Sequence, residues 1–140
     1  MYSIKEFINK ALESGACDKA KVEDWKDLAE LLYQPIGVEF CERTGFPTIE
    51  QWEQIPEEAR IANNIYVNGG KIRKDNESIV LVGSTRGELY FEGVEKIYKV
   101  VVMHGAEAFI CPRNHAVVRV YNIGNNKVDV HRDNTSIVMR

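Results

Sequence analysis

The sequence predicts an α+β fold: a small helical unit over residues 1–60 capping a short β-solenoid over residues 61–140, together one compact domain. Two observations carry this expectation. Apolar residues fall at helical spacing through the first 60 positions, then alternate from Ile65-Tyr66-Val67 onward. In the second part, runs of β-branched and apolar residues recur: Ile79-Val80-Leu81-Val82, Val100-Val101-Val102-Met103, Val117-Val118-Arg119-Val120-Tyr121 and Ile137-Val138-Met139. Each of the first three soon meets a glycine (Gly83, Gly105, Gly124) and then an alternating pair, Leu89 with Phe91, Ala108 with Ile110, Val128 with Val130. A period of roughly 20 residues lies in the range of stacked supersecondary units.

The helical elements follow from their caps. Ser3-Ile4-Lys5-Glu6 is a capping box, after which Ile4, Phe7, Ile8, Ala11 and Leu12 share a face and Gly15 supplies a stop. Asp18 is placed to cap a second helix, with Val22, Trp25, Leu28, Ala29 and Leu32 on one side, broken at Tyr33-Gln34-Pro35. Pro35 suits the first turn of a third helix carrying Val38, Phe40 and Cys41 and closed by Gly45. Thr48-Ile49-Glu50-Gln51 is another capping box, with Ile49, Trp52 and Ile55 apolar behind it, and Pro56-Glu57-Glu58 opens one more turn.

Two β architectures compete beyond residue 60. An antiparallel meander or sandwich would use Asn68-Gly69, Gly83, Gly93, Gly105 and Asn125-Asn126 as hairpin turns. A parallel solenoid would use the same residues as corners. The near-repeat favours the solenoid, because hairpins give no reason for one run to resemble the run two strands later. Windings must stack to bury a continuous core. An end left open exposes unpaired backbone groups. The helical unit is expected to cover one end. The strand Ile137-Val138-Met139-Arg140 either pairs with another copy or a partner, or is blunted by Arg140 and the local charges.

Bulk properties exclude several classes. A length of 140 residues suffices for a real core, and apolar and charged fractions of 44% and 28% argue against disorder. Net charge is −3, about −6 in the first 60 residues and about +3 beyond, so nucleic acid is not an expected partner. No run approaches the roughly 18 apolar residues of a membrane span, and the N-terminus lacks a signal-peptide pattern. Three widely spaced cysteines (Cys17, Cys41, Cys111) suggest a reducing compartment, with the cytoplasm as the default.

Chemistry-bearing residues are present without an evident constellation. His104, Cys111, His115 and His131 come nearest to a metal set, but no paired knuckle exists and Cys111 continues the Phe109-Ile110 strand. Cys111 or Cys41 beside a histidine would be needed for a cysteine nucleophile. Asp129-Val130-His131-Arg132-Asp133 reads most simply as a solvated strand face, although a His131–Asp133 dyad shares a side at strand spacing. Glu88, Glu92 and Glu107 are arbitrary picks for paired carboxylates. Gly83-Ser84-Thr85-Arg86-Gly87 offers a guanidinium in a glycine-flanked loop, and a corner turn explains it more cheaply than a phosphate site. Tyr90, Phe91, Lys96, Tyr98 and Lys99 interleave aromatic and basic residues, interrupted by Glu88, Glu92 and Glu95. No cofactor or metal is expected.

Val101-Val102-Met103-His104-Gly105-Ala106-Glu107-Ala108, Ala116 to Gly124 and the segment Glu39 to Thr48 resemble uncharacterised proteins of gut Bacteroidales and their phages or mobile elements. Those carry a helical N-terminal part and short solenoid-like repeats. The resemblance implies an intracellularly made protein of phage or prophage origin and no catalytic motif. The functional expectation is a non-enzymatic structural or interaction module that self-associates through Ile137, Val138, Met139 and Arg140, made in the cytoplasm or carried in a virion. The alternative is a phage-encoded inhibitor of a host defence protein or a sequesterer of its nucleotide signal.

Overall fold

The capping boxes and apolar faces of the first 60 residues fold as helices in the structure, a computed structural model describing residues 1–16 and 22–140. The chain divides into two units, Met1–Asn63 and Asn64–Arg140. In the first, α1 (Ile4–Glu13) starts at the reciprocal box: the Glu6 amide donates to Ser3 Oγ at 3.2 Å and the Ser3 amide to Glu6 Oε1 at 3.4 Å. Helix α2 spans Trp25–Leu32 and is capped by Asp24, whose carboxylate accepts from the Asp27 amide at 2.8 Å. Val22 therefore precedes that helix, and Asp18 lies outside the described residues. Helix α3 (Pro35–Thr44) has proline at its first turn and Gly45 left-handed at its end, where any Cβ would be strained. Helices α4 (Ile49–Glu53) and α5 (Glu57–Ala62) follow, the former opened by the Thr48–Gln51 box. The core of this unit gathers Phe7, Leu28, Leu32, Val38, Cys41, Phe46, Trp52 and Ile55, with Phe7 edge-on to Trp25 at 5.6 Å.

From Asn64 the chain winds as a parallel β-solenoid. The strands are β1 (Ile65–Val67), β2 (Gly70–Asp75), β3 (Ile79–Val82), β4 (Thr85–Glu92), β5 (Ile97–Met103), β6 (Glu107–Arg113), β7 (Val117–Ile123), β8 (Lys127–Val130) and β9 (Ile137–Met139). They alternate between a five-stranded sheet ordered β1-β3-β5-β7-β9 and a four-stranded sheet ordered β2-β4-β6-β8. Every pairing is parallel. The antiparallel meander is thereby excluded.

Register fixes the repeat. Ile65 lies beside Val80, so the first step is 15 residues; Ile79 lies beside Val100, a step of 21; Ile97 beside Val117 and Val117 beside Ile137 give steps of 20. The short first step and the next differ at one corner, where β4 runs on through Phe91 and Glu92. At that widened corner the rings of Phe91 and Tyr98 meet at a tilt, their centroids 4.8 Å apart and both buried. Between the sheets lie Ile79, Leu81, Leu89, Val100, Val102, Ala108, Ile110, Val118 and Val120. Strand β3 is buried on both faces, which is why it reads as an unbroken apolar run rather than an alternation.

The corners explain the turn residues. Asn68, Gly83, His104 and Gly124 occupy one column of the stack, and each has positive φ. The corner needs a left-handed residue in every winding, supplied by glycine where it can be and otherwise by the residue types that tolerate it. Polar side chains then tie each corner to the next: Asn68 Oδ1 accepts from the Ser84 amide (2.8 Å), Asn76 Oδ1 from Glu92 (2.8 Å), Ser78 Oγ from Lys99 (2.9 Å) and Thr135 Oγ1 from His115 (2.8 Å). These bonds answer amides that no strand ladder reaches.

Candidate functional site: the outer face and first edge of the four-stranded sheet

Strand alternation decides what this sheet shows to solvent. Along β4, Thr85, Gly87, Leu89 and Phe91 are buried, leaving Arg86, Glu88, Tyr90 and Glu92 on the outer side. Register extends the rule to the other strands. Lys71, Arg86, Glu107 and Lys127 form one column; Arg73, Glu88, Phe109 and Asp129 form a second; Asp75, Tyr90 and Cys111 lie in a third, which His131 continues. Columns of side chains about 4.8 Å apart make this a flat, mixed-charge lattice.

Two ring contacts cross the lattice on the diagonal. The Arg73 guanidinium lies 4.3 Å from the Tyr90 ring centroid, and the Phe109 and His131 rings are 4.6 Å apart. Cys111, between these pairs, is only 5% exposed although its strand position faces outward. Burial pushes its thiol pKa up, so it is held as a thiol rather than a thiolate nucleophile. Cys41 in the helical unit is pushed up to about 12, again chiefly by burial.

At the first edge, Lys71, Ile72, Arg73, Arg86 and Glu88 line a shallow groove of about 400 Å³. Three cations meet one carboxylate there. Arg86 Nε is 3.5 Å from Glu107 and Arg73 Nε is 3.6 Å from Asp75, both pairs largely exposed and so weak and exchangeable. On the inner side of the same strand, Lys74 reaches over the Tyr66 ring at 5.5 Å and lies 3.9 Å from Glu77. Its pKa is raised, first by its hydrogen bond with Tyr66.

The remaining residues singled out in the sequence scatter. His104 sits in the first corner column, and His115 in the corner before β7, both with positive φ. Among the described residues no group of three metal-ligating side chains converges. Asp133 turns away from the lattice and accepts amides of Asn114 (3.0 Å), Thr135 (3.0 Å) and Ser136 (2.9 Å). Those bonds, led by the one from Asn114, hold its carboxyl below the usual range. The His131–Asp133 dyad is thus replaced by a capping aspartate. Glu88 and Glu107 fall in different columns, and Glu92 stands at the far end of β4. Phe91 and Tyr98, read as possible base-stacking rings, are interior. Gly83 to Gly87 is a corner entering a strand, with the Thr85 hydroxyl buried and accepting the Gly69 amide at 2.9 Å. Ile137 to Met139 pair with β7 as the last strand of the five-stranded sheet, and Ile137 is 53% exposed.

Lys71 and Arg73 escaped the sequence reading. Their signal was the spacing to Arg86, 15 residues beyond Lys71, which is visible only once the first step is known to be shorter than the rest. No helix is long and apolar enough to cross a membrane among the described residues. Compared with family models, curated proteins and solved structures, the chain matches none.

Proposed function

We propose that the chain is a non-enzymatic interaction module that self-associates through its last strand. The observation that carries this is a ladder of Ile97, Val117 and Ile137, in register on the outer side of the five-stranded sheet, with both isoleucines more than half exposed. On the inner side, Val128 and Val130 of β8 and Val138 of β9 pack on the core only in part. A contiguous apolar column on a sheet face, ending at an edge strand, is what a second copy would cover. Light scattering after size-exclusion chromatography tests it: the protein is expected to gain mass with concentration, and Ile137→Asp to hold it at monomer mass. A mass that stays monomeric up to high concentration defeats the proposal.

A second reading, an inhibitor encoded by a phage or mobile element that takes up a nucleotide signal or a host protein, draws support from Arg86 meeting Lys71 and Arg73 in one groove. Calorimetry with cyclic nucleotides tests the small-molecule form, for which Arg86→Gln is expected to abolish the heat.

A further inference from the structure

The first edge of the four-stranded sheet has a second property besides its charge. The Gly70 amide donates to the Ser84 carbonyl at 3.0 Å and the Asn76 amide to the Tyr90 carbonyl at 2.8 Å, with residues 70–75 in register against 85–90. In a parallel ladder the residues whose N–H and C=O face the neighbour alternate with those that face away. Residues 70, 72, 74 and 76 therefore serve β4. The backbone groups of Lys71, Arg73 and Asp75 point to the free side, and β2 is exposed along that length. Donors and acceptors alternate there, with two cationic side chains beside them.

We propose that this edge docks an acidic, extended polypeptide segment of a partner protein, added to the sheet as a further strand. It is independent of the self-association proposed for β9, since the two edges belong to different sheets. The backbone of an extended peptide satisfies both the amides and the carbonyls of Lys71 and Arg73. An ionised phosphate group offers acceptors only and leaves the carbonyls unanswered, whereas an extended peptide presents donors and acceptors in the alternation that the edge itself has. Charge selects the sequence: β2 carries Lys71, Arg73 and Lys74 against Asp75, and the groove adds Arg86 against Glu88. Ile72 gives the incoming strand an apolar contact. Base stacking is disfavoured because the Tyr90 face is already occupied by Arg73. The lysines that make an edge hostile to indiscriminate pairing make it selective for an acidic strand.

The experiment is fluorescence anisotropy with a labelled nine-residue peptide of alternating Asp and Val, compared with its Asn-for-Asp counterpart. The acidic peptide is expected to bind at least about tenfold more tightly, with affinity falling as salt rises. Lys71→Gln and Arg73→Gln are each expected to weaken it several-fold. Lys71→Pro removes an amide that β4 does not use, as proline tolerates at an edge, and is expected to weaken binding about fivefold beyond Lys71→Gln. Circular dichroism checks that all three variants stay folded. If Lys71→Pro perturbs the fold, a peptide N-methylated at alternate residues takes its place and is expected to lose binding in one of its two phases. Equal binding of the Asn peptide, indifference to both proline and N-methylation, or tighter binding of polyphosphate or single-stranded RNA overturns the proposal.

Discussion

Replacing Leu81 by valine and Gly87 by alanine tests how the two sheets share their interior volume. These residues face each other across the core of the β3–β4 winding. One winding later, in register, the same two places hold Val102 and Ala108. A Cβ added at Gly87 would lie 2.9 Å from Leu81 Cδ1, 3.3 Å from Leu81 Cδ2 and 3.4 Å from Leu89 Cδ2. Carbon atoms settle at about 3.5–4.0 Å, so the leucine must move by roughly half an ångström or more in a packed core. Such overpacking costs about 1–3 kcal/mol, offset by about 0.5–1 kcal/mol from replacing a strand glycine. Leu81→Val alone removes a methylene and leaves part of its volume empty, a loss of about 0.5–1.5 kcal/mol. The double variant reproduces the pairing of the next winding and is expected to lose about 1 kcal/mol less than the two single losses together. Urea unfolding followed by the β-sheet circular dichroism signal measures all four proteins. Additivity within about 0.5 kcal/mol would refute the reasoning, since residues in contact must couple.

Two further outcomes follow from the same structure. The carboxylate of Asp133 is stabilised in the folded state by amides, so its pKa is lowered on folding. Its contribution is present above the unfolded value near 3.9 and is lost as pH falls towards the folded one. The urea midpoint of the native protein is therefore expected to fall below about pH 4 more steeply than that of Asp133→Asn; parallel curves would contradict the capping role. Cys41 and Cys111 are buried thiols with raised pKa, and alkylation at neutral pH, read by mass, is expected to modify them only in denaturant. Rapid labelling of Cys111 in the native protein would restore the nucleophile reading.

The fold was legible because its determinants are local or periodic. Ser3 with Glu6 and Thr48 with Gln51 identify helix starts from four residues each, and both boxes form. The runs at Ile79, Val100 and Val117 announce stacked strands. Their alignment was not legible. Val100 lies beside Val120 rather than Val117, and Leu89 lies beside Ile110 rather than Ala108. The glycine pattern misled in the same way: Gly83 aligns with His104, because the corner selects a left-handed backbone and not a residue type. Asp24 caps the helix read from Asp18, since a carboxylate one residue ahead of Trp25 serves its first-turn amide directly. The candidate site was hidden for a related reason. Arg86 stands out in its glycine-flanked loop, but Lys71 and Arg73 join it only through a register that sequence spacing does not reveal.

The central claim is that successive windings lie parallel and in register, and proton–proton contacts along the backbone test it most directly. Antiparallel neighbours bring α-protons close at the narrow pairs, whereas parallel neighbours do not. Nuclear Overhauser spectra of the labelled protein are expected to link Val80 to Val101 and Val101 to Tyr121 through amide and α-proton contacts, without strong α–α cross-peaks between strands. Strong α–α peaks between β4 and β5, or between β5 and β6, would show hairpins in place of windings and contradict the account.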